Sequence, residues 1–385
     1  MKRVLVIAIL LLSVCVFTFA GGQNEDEIVI GVMQDLSGPT SVWGNAVKNG
    51  AELAVDMINA DGGLLGKQLV LKSYDIKLDP QEAINAYNRL SDSDKATAIV
   101  GPPLSGIGLA IGPLAESKKV PVVGSFIDPR VTVKEDGSAS PYMFLMQPSS
   151  KQYAEILADY TLKKLGLKTV AVFYDQSNAF AVSQVKPFIA YFEANGGKVL
   201  AEEIYKKGDK DFKSQLNKIK NVNAAAIYAP NYVQDLVITL QQCNQIGLDV
   251  PFIGGLDFAP PFVSLLSDPM LADDIFFANN YSDNEPQLVD VRNAYKAKFG
   301  EEPINKAYLG YDKILIIADA IRRAGSADST AVRDALETTT NLACTTGNIT
   351  ISAATHQPQG LSMVMYSIKG GKYADLGRHV PALHK

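Results

Sequence analysis

The sequence predicts an α/β protein made of two Rossmann-like lobes, each with a parallel central sheet. Three observations carry this. Strand and helix patterns alternate as βαβαβ over the first hundred residues, the same order returns from residue 169, and the first helix of each copy stops at a Gly-Gly pair, Gly62-Gly63 and Gly196-Gly197.

Residues 28–33 form a β-branched run that ends in a polar turn, 34–39. A helical pattern follows in which Trp43, Val47, Ala51, Ala54 and Ile58 share one face. Residues 68–74 read as the next strand, Asp79-Pro80 opens a helix running to Leu90, and residues 96–100 are a third strand. Parallel strands joined in this way require right-handed crossovers. The second copy begins with a strand at 169–174, followed by a helix with Val182, Val185, Phe188, Ile189 and Phe192 on one face. Strands at 198–205 and 224–229 then flank a helix opened by Asp211 and running through Ile219. Between the copies lies a helix whose face carries Tyr153, Ile156, Leu157 and Tyr160. After the second copy come an apolar strand over 272–281 and a helix with Ile314, Leu315, Ala318 and Ile321 on one side. One large doubly wound sheet is the alternative architecture, and the duplication favours two lobes.

A length of 385 residues and 47% hydrophobic content suffice for two packed cores. The formal charge of -5 comes from interleaved acids and bases, which gives no basic footprint for a nucleic-acid backbone or an anionic membrane. Residues 1–20 read as a signal peptide: Lys2-Arg3, an apolar run, then Thr18-Phe19-Ala20 as a cleavage site. Cleavage after Ala20 takes the formal charge from -5 to -7. No later stretch approaches the ~20 apolar residues of a membrane span, so the mature chain is expected outside the cytoplasm without an integral membrane segment. Cys15 lies in a loose lipobox, Leu12-Ser13-Val14-Cys15, and lipidation there competes with simple secretion. Cys243 and Cys344 sit at unrelated spacing and are expected as two free buried thiols.

Enzyme motifs fail on inspection. Gly106, Gly108 and Gly112 are spaced one residue too widely for a dinucleotide fingerprint, and Gln68 stands where a phosphate loop needs Ser or Thr after Lys67. Ser105 and Ser125 lack the glycines of a nucleophile elbow. His356, His379 and His384 all fall in the last thirty residues and are expected to be solvent-exposed. No metal or cofactor signature is present, and a secreted hydrolase is the remote enzymatic alternative.

What remains are loops at the carboxyl ends of strands, where open parallel sheets bind ligands. They span residues 34–43, 101–106, 124–129, 230–234 and 254–260. Ser105 and Ser125 offer hydroxyls, and a helix beginning near Ser105 would present free N–H groups to a carboxylate. Asp257 offers a charge for an ammonium, and Tyr232 and Trp43 a flat wall. Taken singly each has a plainer reading: a helix cap for Ser105, a turn former for Asp257, a packing residue for Trp43. Their combination on equivalent strand ends of both lobes favours a ligand site.

At these loops the chain resembles the periplasmic leucine/isoleucine/valine-binding proteins, the type I solute-binding family that feeds ABC importers. The matching segments, spread over nearly all of the mature chain, are IGVMQDLSGPTSVWGN, INADGGLLGKQL, YDIKLDPQEA, IVGPPLSG, GDKDFKSQLNKIK and QIGLDVPFIGG. The resemblance implies a three-segment hinge, with an N-terminal lobe of 26–146 plus 279–351 and a C-terminal lobe of 147–278 plus 352–385. It implies a periplasmic protein that binds a small amino-acid-like solute, branched-chain or otherwise apolar, and delivers it to an ABC permease without chemistry and without a cofactor. An amide, an aromatic acid or a nucleoside is the alternative solute, and a membrane sensor the alternative partner. Carried over by position, Ser105 holds the ligand backbone, Ser125 is a neighbouring main-chain contact, Tyr232 is the second-lobe tyrosine, Trp43 lines the side-chain pocket and Leu104 adjoins it. The sequence departs from the family in three places. Ile127 replaces a threonine, Leu256 displaces the acid to Asp257, and the aromatic after Tyr174 falls on Ala179 or Phe180.

Overall fold

The computed structural model describes residues 26–102, 104–282, 284–360 and 362–381. The signal peptide and Cys15 lie outside the described residues, as does His384.

The first sheet has five strands: β1 (Glu27–Gln34), β2 (Gln68–Asp75), β3 (Ala98–Val100), β4 (Val122–Gly124) and β5 (Met143–Leu145). They are ordered β2-β1-β3-β4-β5 and every pairing is parallel. Helices α1 (Ser41–Ala60), α2 (Pro80–Asn88) and α3 (Ser105–Lys118) make the crossovers. Each of the two named strand runs, 28–33 and 96–100, is buried on both faces, as expected of a sheet covered by helices on both sides.

The chain leaves this sheet after β5 and enters α4 (Ser150–Lys163), which begins with a capping box between Ser149 and Gln152. The second sheet follows. It takes β6 (Thr169–Asp175), β7 (Lys198–Tyr205), β8 (Ile227–Tyr228), β9 (Phe252–Gly254) and β10 (Ile275–Asn279), with α5 (Ala179–Ala194), α6 (Lys213–Asn221) and α7 (Val233–Ile246) between them. Its parallel part runs β7-β6-β8-β9-β10, the same order as the first sheet. The two copies read from periodicity are therefore copies in topology.

After β10 the chain returns to the first lobe as α8 (Val289–Phe299), α9 (Asn305–Ala324) and α10 (Ser329–Glu337). These pack with α1 around one hydrophobic core. A short ribbon of β11 (Thr350–Ile351) and β12 (Pro358–Gln359) precedes the hairpin of β13 (Met363–Lys369) and β14 (Lys372–His379), which adds antiparallel to β10 in the second sheet. Gly370 and Gly371 form its two-residue turn, with φ of 58° and 69°, a geometry that costs a residue with a Cβ and suits glycine.

Two expectations need correction. His356 and His379 are buried, not exposed, because the C-terminal segment is no tail: it folds through the core. His356 stacks on Phe144 with centroids 4.1 Å apart and approaches Glu337 at 2.8 Å, and its burial lowers its pKa despite that carboxylate. His379 lies 2.8 Å from Asp159 in the second lobe. Val182, assigned by periodicity to the buried face of α5, is exposed, and the inward stripe is carried by Val185, Phe188 and Phe192. Cys243 and Cys344 are both buried and unbridged. Among the described residues no helix is long and apolar enough to cross a membrane.

Candidate functional site

Both sheets reverse their strand order at one place, between β1 and β3 in the first and between β6 and β8 in the second, and such switch points open a crevice at the carboxyl edge. In the first lobe, Asp35 at the end of β1 accepts from the N–H groups of Gly38 (2.6 Å) and Thr40 (2.8 Å) and from the Thr40 hydroxyl. Asp75 accepts from Leu36 N–H at 2.9 Å. These bonds fix the turn that launches α1 and so place Trp43, half-exposed in its first turn.

Ser105 is the first residue of α3, whose N-cap, Leu104, has no side-chain acceptor for the free amides. The Ser105 hydroxyl oxygen accepts from Ile127 N–H at 3.3 Å and Asp128 N–H at 3.1 Å, which ties the loop after β4 to the start of the helix. With its lone pairs so engaged, its O–H hydrogen is the group left to offer an acceptor. Ser125 is buried and its hydroxyl has no protein partner among the described residues, while its carbonyl accepts from Gln147 of the chain segment between the lobes. Ile127 is fixed by its backbone, accepting from Ser150 N–H at 2.7 Å. Leu104 packs partly into the first-lobe core.

In the second lobe, Asn231 bridges the switch point, donating to Phe173 carbonyl at 2.8 Å and accepting from Asp175 N–H at 3.1 Å. Tyr232 follows it at the N-cap of α7, half-exposed, with its ring stacked on Phe180 at 5.5 Å and 14°. Phe180 is thus the aromatic of the segment after Tyr174 that lies beside Tyr232. Asp257, in the short 3-10 turn after β9, is half-buried. Desolvation pushes its carboxyl up to about 7, against the pull of the Lys306 ammonium and a hydrogen bond from Val233 N–H at the start of α7. Burial raises the Tyr232 phenol, and the Asp257 charge adds to that. Tyr153 on α4 stands behind this turn and donates to the Ala278 carbonyl.

The sequence reading missed Lys306. It sits in the first turn of α9, its Nζ 5.7 Å from the Trp43 ring centroid, and it belongs to the first lobe while interacting with Asp257 of the second. Its place follows from how α1 and α9 cross. A Cβ on Gly50 would lie 1.9 Å from Ala307 carbonyl oxygen and one on Gly310 would lie 2.0 Å from that of Val47, so only this reciprocal pair of glycines lets the backbones touch. The structure therefore groups Ser105 with Ile127, Tyr232 with Asp257, and Trp43 with Asp257 through Lys306. The sequence signal was a cation in a first helical turn, where the macrodipole disfavours it.

Three segments link the lobes: the chain between β5 and α4, the chain after β10, and the chain between β11 and β13. Polar contacts hold them together. Asn280 donates to Gln147 at 3.2 Å, Asn305 to Asn279 at 2.9 Å, and Gln152 to Pro358 carbonyl at 2.5 Å.

Comparison with known proteins agrees with this architecture. Residues 27–372 match the family model described as periplasmic binding protein. A Leu/Ile/Val-binding protein homolog of Brucella melitensis is 28% identical over 87% of this chain and 89% of its own length. Another Leu/Ile/Val-binding protein, from Rhizobium johnstonii, is 27% identical over 90% of this chain and 93% of its own. Among solved structures, a branched-chain amino acid transporter substrate-binding protein of Streptococcus pneumoniae, in complex with isoleucine, superposes with a TM-score of 0.77 at 29% identity, covering 92% of this chain and 100% of that one. A leucine-binding protein of Thermotoga maritima gives 0.77 at 28%, covering 92% and 99%. Two lobes of one topology, three linking segments and a match over nearly the whole described length agree: the chain belongs to the periplasmic binding protein family.

Proposed function

We propose that this protein captures an α-amino acid between its lobes outside the cytoplasm and presents it to the permease of an ABC importer. The ligand carboxylate is received at the start of α3, by the free amides and by the hydroxyls of Ser105 and Ser125. The ammonium is received by Asp257, with Tyr232 and Phe180 beside it. Trp43, Leu104 and Ile127 supply the first-lobe wall. Lobes of 26–146 plus 279–351 and of 147–278 plus 352–385 then move about the three linking segments. Similarity to Leu/Ile/Val-binding proteins makes branched-chain amino acids the first ligands to test.

The observation that carries this reading is that donors stand at the carboxyl edge of the first sheet and an acid at the carboxyl edge of the second. A zwitterion contacts both, so it favours the closed arrangement by the free energy of whichever contacts the open form lacks. Turning a closed state from 1:99 to 99:1 needs about 5.5 kcal/mol of such differential binding. Buried charge-assisted bonds of about 1.5–3 kcal/mol each, with apolar burial, are sufficient.

Trp43 is the only tryptophan and half-exposed, so its emission reports closure. Titration with leucine, isoleucine, valine and other amino acids should shift that emission with saturation, and calorimetry should give the same affinity. A ligand recovered unchanged after prolonged incubation separates binding from hydrolysis. Calorimetric binding of amino acids with no change in Trp43 emission would remove Trp43 from the cleft, and absence of binding by any amino acid would sink the reading.

A further inference from the structure

Helix α9 carries two lysines, Lys306 and Lys313, two turns apart and therefore on one face. Lys306 lies over Trp43 at the mouth of the cleft. Lys313 is fully buried beneath the carboxyl edge of the first sheet, where it donates to the Gly101 carbonyl at 3.0 Å, an acceptor it shares with Gln34 at 2.7 Å. Among the described residues neither lysine has a carboxylate within salt-bridge distance, and the acid that attracts Lys306 is Asp257 of the second lobe. The neighbouring acid, Asp312, is occupied elsewhere, accepting from Thr345 N–H at 2.7 Å and Thr346 N–H at 2.9 Å. The start of α9 has no acidic residue and no side-chain cap, so its positive end adds to the charge of Lys306 in its first turn. Ser125, buried with an unpartnered hydroxyl, lies on the same sheet edge.

Asp257 is the one acid placed to answer Lys306, and a ligand ammonium that takes Asp257 leaves Lys306 facing the Trp43 wall without an anion. An ammonium over an indole is a modest interaction that does not replace a counter-ion, whereas Lys313 is served by the Gly101 carbonyl and by burial that brings its pKa down to about 7. If the α-carboxylate is held at the start of α3 and the α-ammonium at Asp257, the ligand's side chain points to the Trp43 wall and meets Lys306. An aliphatic side chain there would desolvate the ammonium and return nothing, whereas a second carboxylate would pair with it.

We propose that Lys306 determines specificity by pairing with an anionic group on the ligand's side chain beside Trp43, so that the solute selected is an acidic amino acid, glutamate or aspartate. This rests on the amino-acid reading above and narrows its side-chain class.

The test is calorimetry of the full mature chain with L-glutamate, L-aspartate, L-glutamine and L-leucine, repeated with Lys306→Met and Lys306→Arg, each checked by circular dichroism for folding. The expected result is that glutamate or aspartate binds at least about tenfold more tightly than glutamine and leucine, that Lys306→Met loses about tenfold or more for the acidic ligand while leucine changes less than about twofold, and that Lys306→Arg retains acidic binding. Leucine binding more tightly than either acidic ligand would overturn the proposal while leaving the amino-acid reading intact. An equal loss for all four ligands in Lys306→Met would also overturn it, since Lys306 would then hold the common α-carboxylate. No binding of any of the four by the wild type would overturn this inference, and no binding of isoleucine, valine or any other amino acid either would bring down the amino-acid reading with it.

Discussion

The two lobes share a strand order and differ in chemistry. At its carboxyl edge the first lobe presents donors and a cation: the α3 amides, the hydroxyls of Ser105 and Ser125, and the Lys306 ammonium, with Lys313 buried behind them. At the equivalent edge the second lobe presents an acid and stacked rings: Asp257, Tyr232 and Phe180. Duplication thus repeats the strand-order reversal in both lobes and leaves each loop free to differ in chemistry. Under the proposed function, a dipolar ligand would meet these opposed polarities in one orientation only.

Several substitutions test that comparison. The largest effect is expected at the α1–α9 crossing that positions the first-lobe cation. Gly310→Val drives a side chain into the Val47 carbonyl and should cost about 3 kcal/mol or more in denaturant unfolding, with ligand binding lost in parallel. A wild-type unfolding midpoint would show that the helices do not need this close approach. Next, Asp257→Asn removes the second lobe's charge and should weaken an α-amino acid by about 2–3 kcal/mol in calorimetry, while a deaminated analogue of the same acid loses much less.

Ser105→Ala acts on the other edge and does two things. It leaves the N–H groups of Ile127 and Asp128 without their acceptor and takes a donor from the carboxylate, so affinity should fall by about 1–2 kcal/mol for ligands with and without an ammonium alike. An effect confined to ammonium-bearing ligands would reverse the assignment of the two edges.

The pH dependence follows from Asp257. Its pKa in the folded protein is raised, so the proton is held more tightly there than in the unfolded chain, and the carboxylate forms only as pH rises through about 7. Affinity for an ammonium should therefore climb with pH, by up to about tenfold per unit well below 7, and level off above it. Lys313, lowered to about 7 by burial, titrates in the same range in the wild type, so the contribution of Asp257 is the difference between wild type and Asp257→Asn. Parallel pH profiles for the two proteins would refute it. The smallest effect is expected for Phe180→Leu, which removes the ring stacked on Tyr232 and should cost about 0.5–1.5 kcal/mol in affinity.

The scaffold is legible in the sequence because each strand is bounded by Gly, Pro or polar turns and each helix has one apolar stripe. Gly62-Gly63 and Gly196-Gly197 mark the repeat by their position alone, each at the end of the first helix of its copy. Legibility fails where the chain crosses between lobes. The histidines near the end of the sequence read as surface residues, yet His356 is stacked on Phe144 and His379 closes β14 against Asp159, because the last segment completes the second sheet. The Gly370-Gly371 pair between alternating runs is the local sign of that hairpin. Lys306 is hidden for a different reason: proximity to Trp43 arises from two glycines 260 positions apart, Gly50 and Gly310, and no local pattern encodes it.

The most direct measurement is a crystal structure of the protein with a bound amino acid. The account predicts one molecule between the lobes, with its α-carboxylate within hydrogen-bonding distance of the Ser105 and Ser125 hydroxyls and its ammonium on Asp257. A ligand that contacts one lobe only, or lies away from both strand-order reversals, would contradict it.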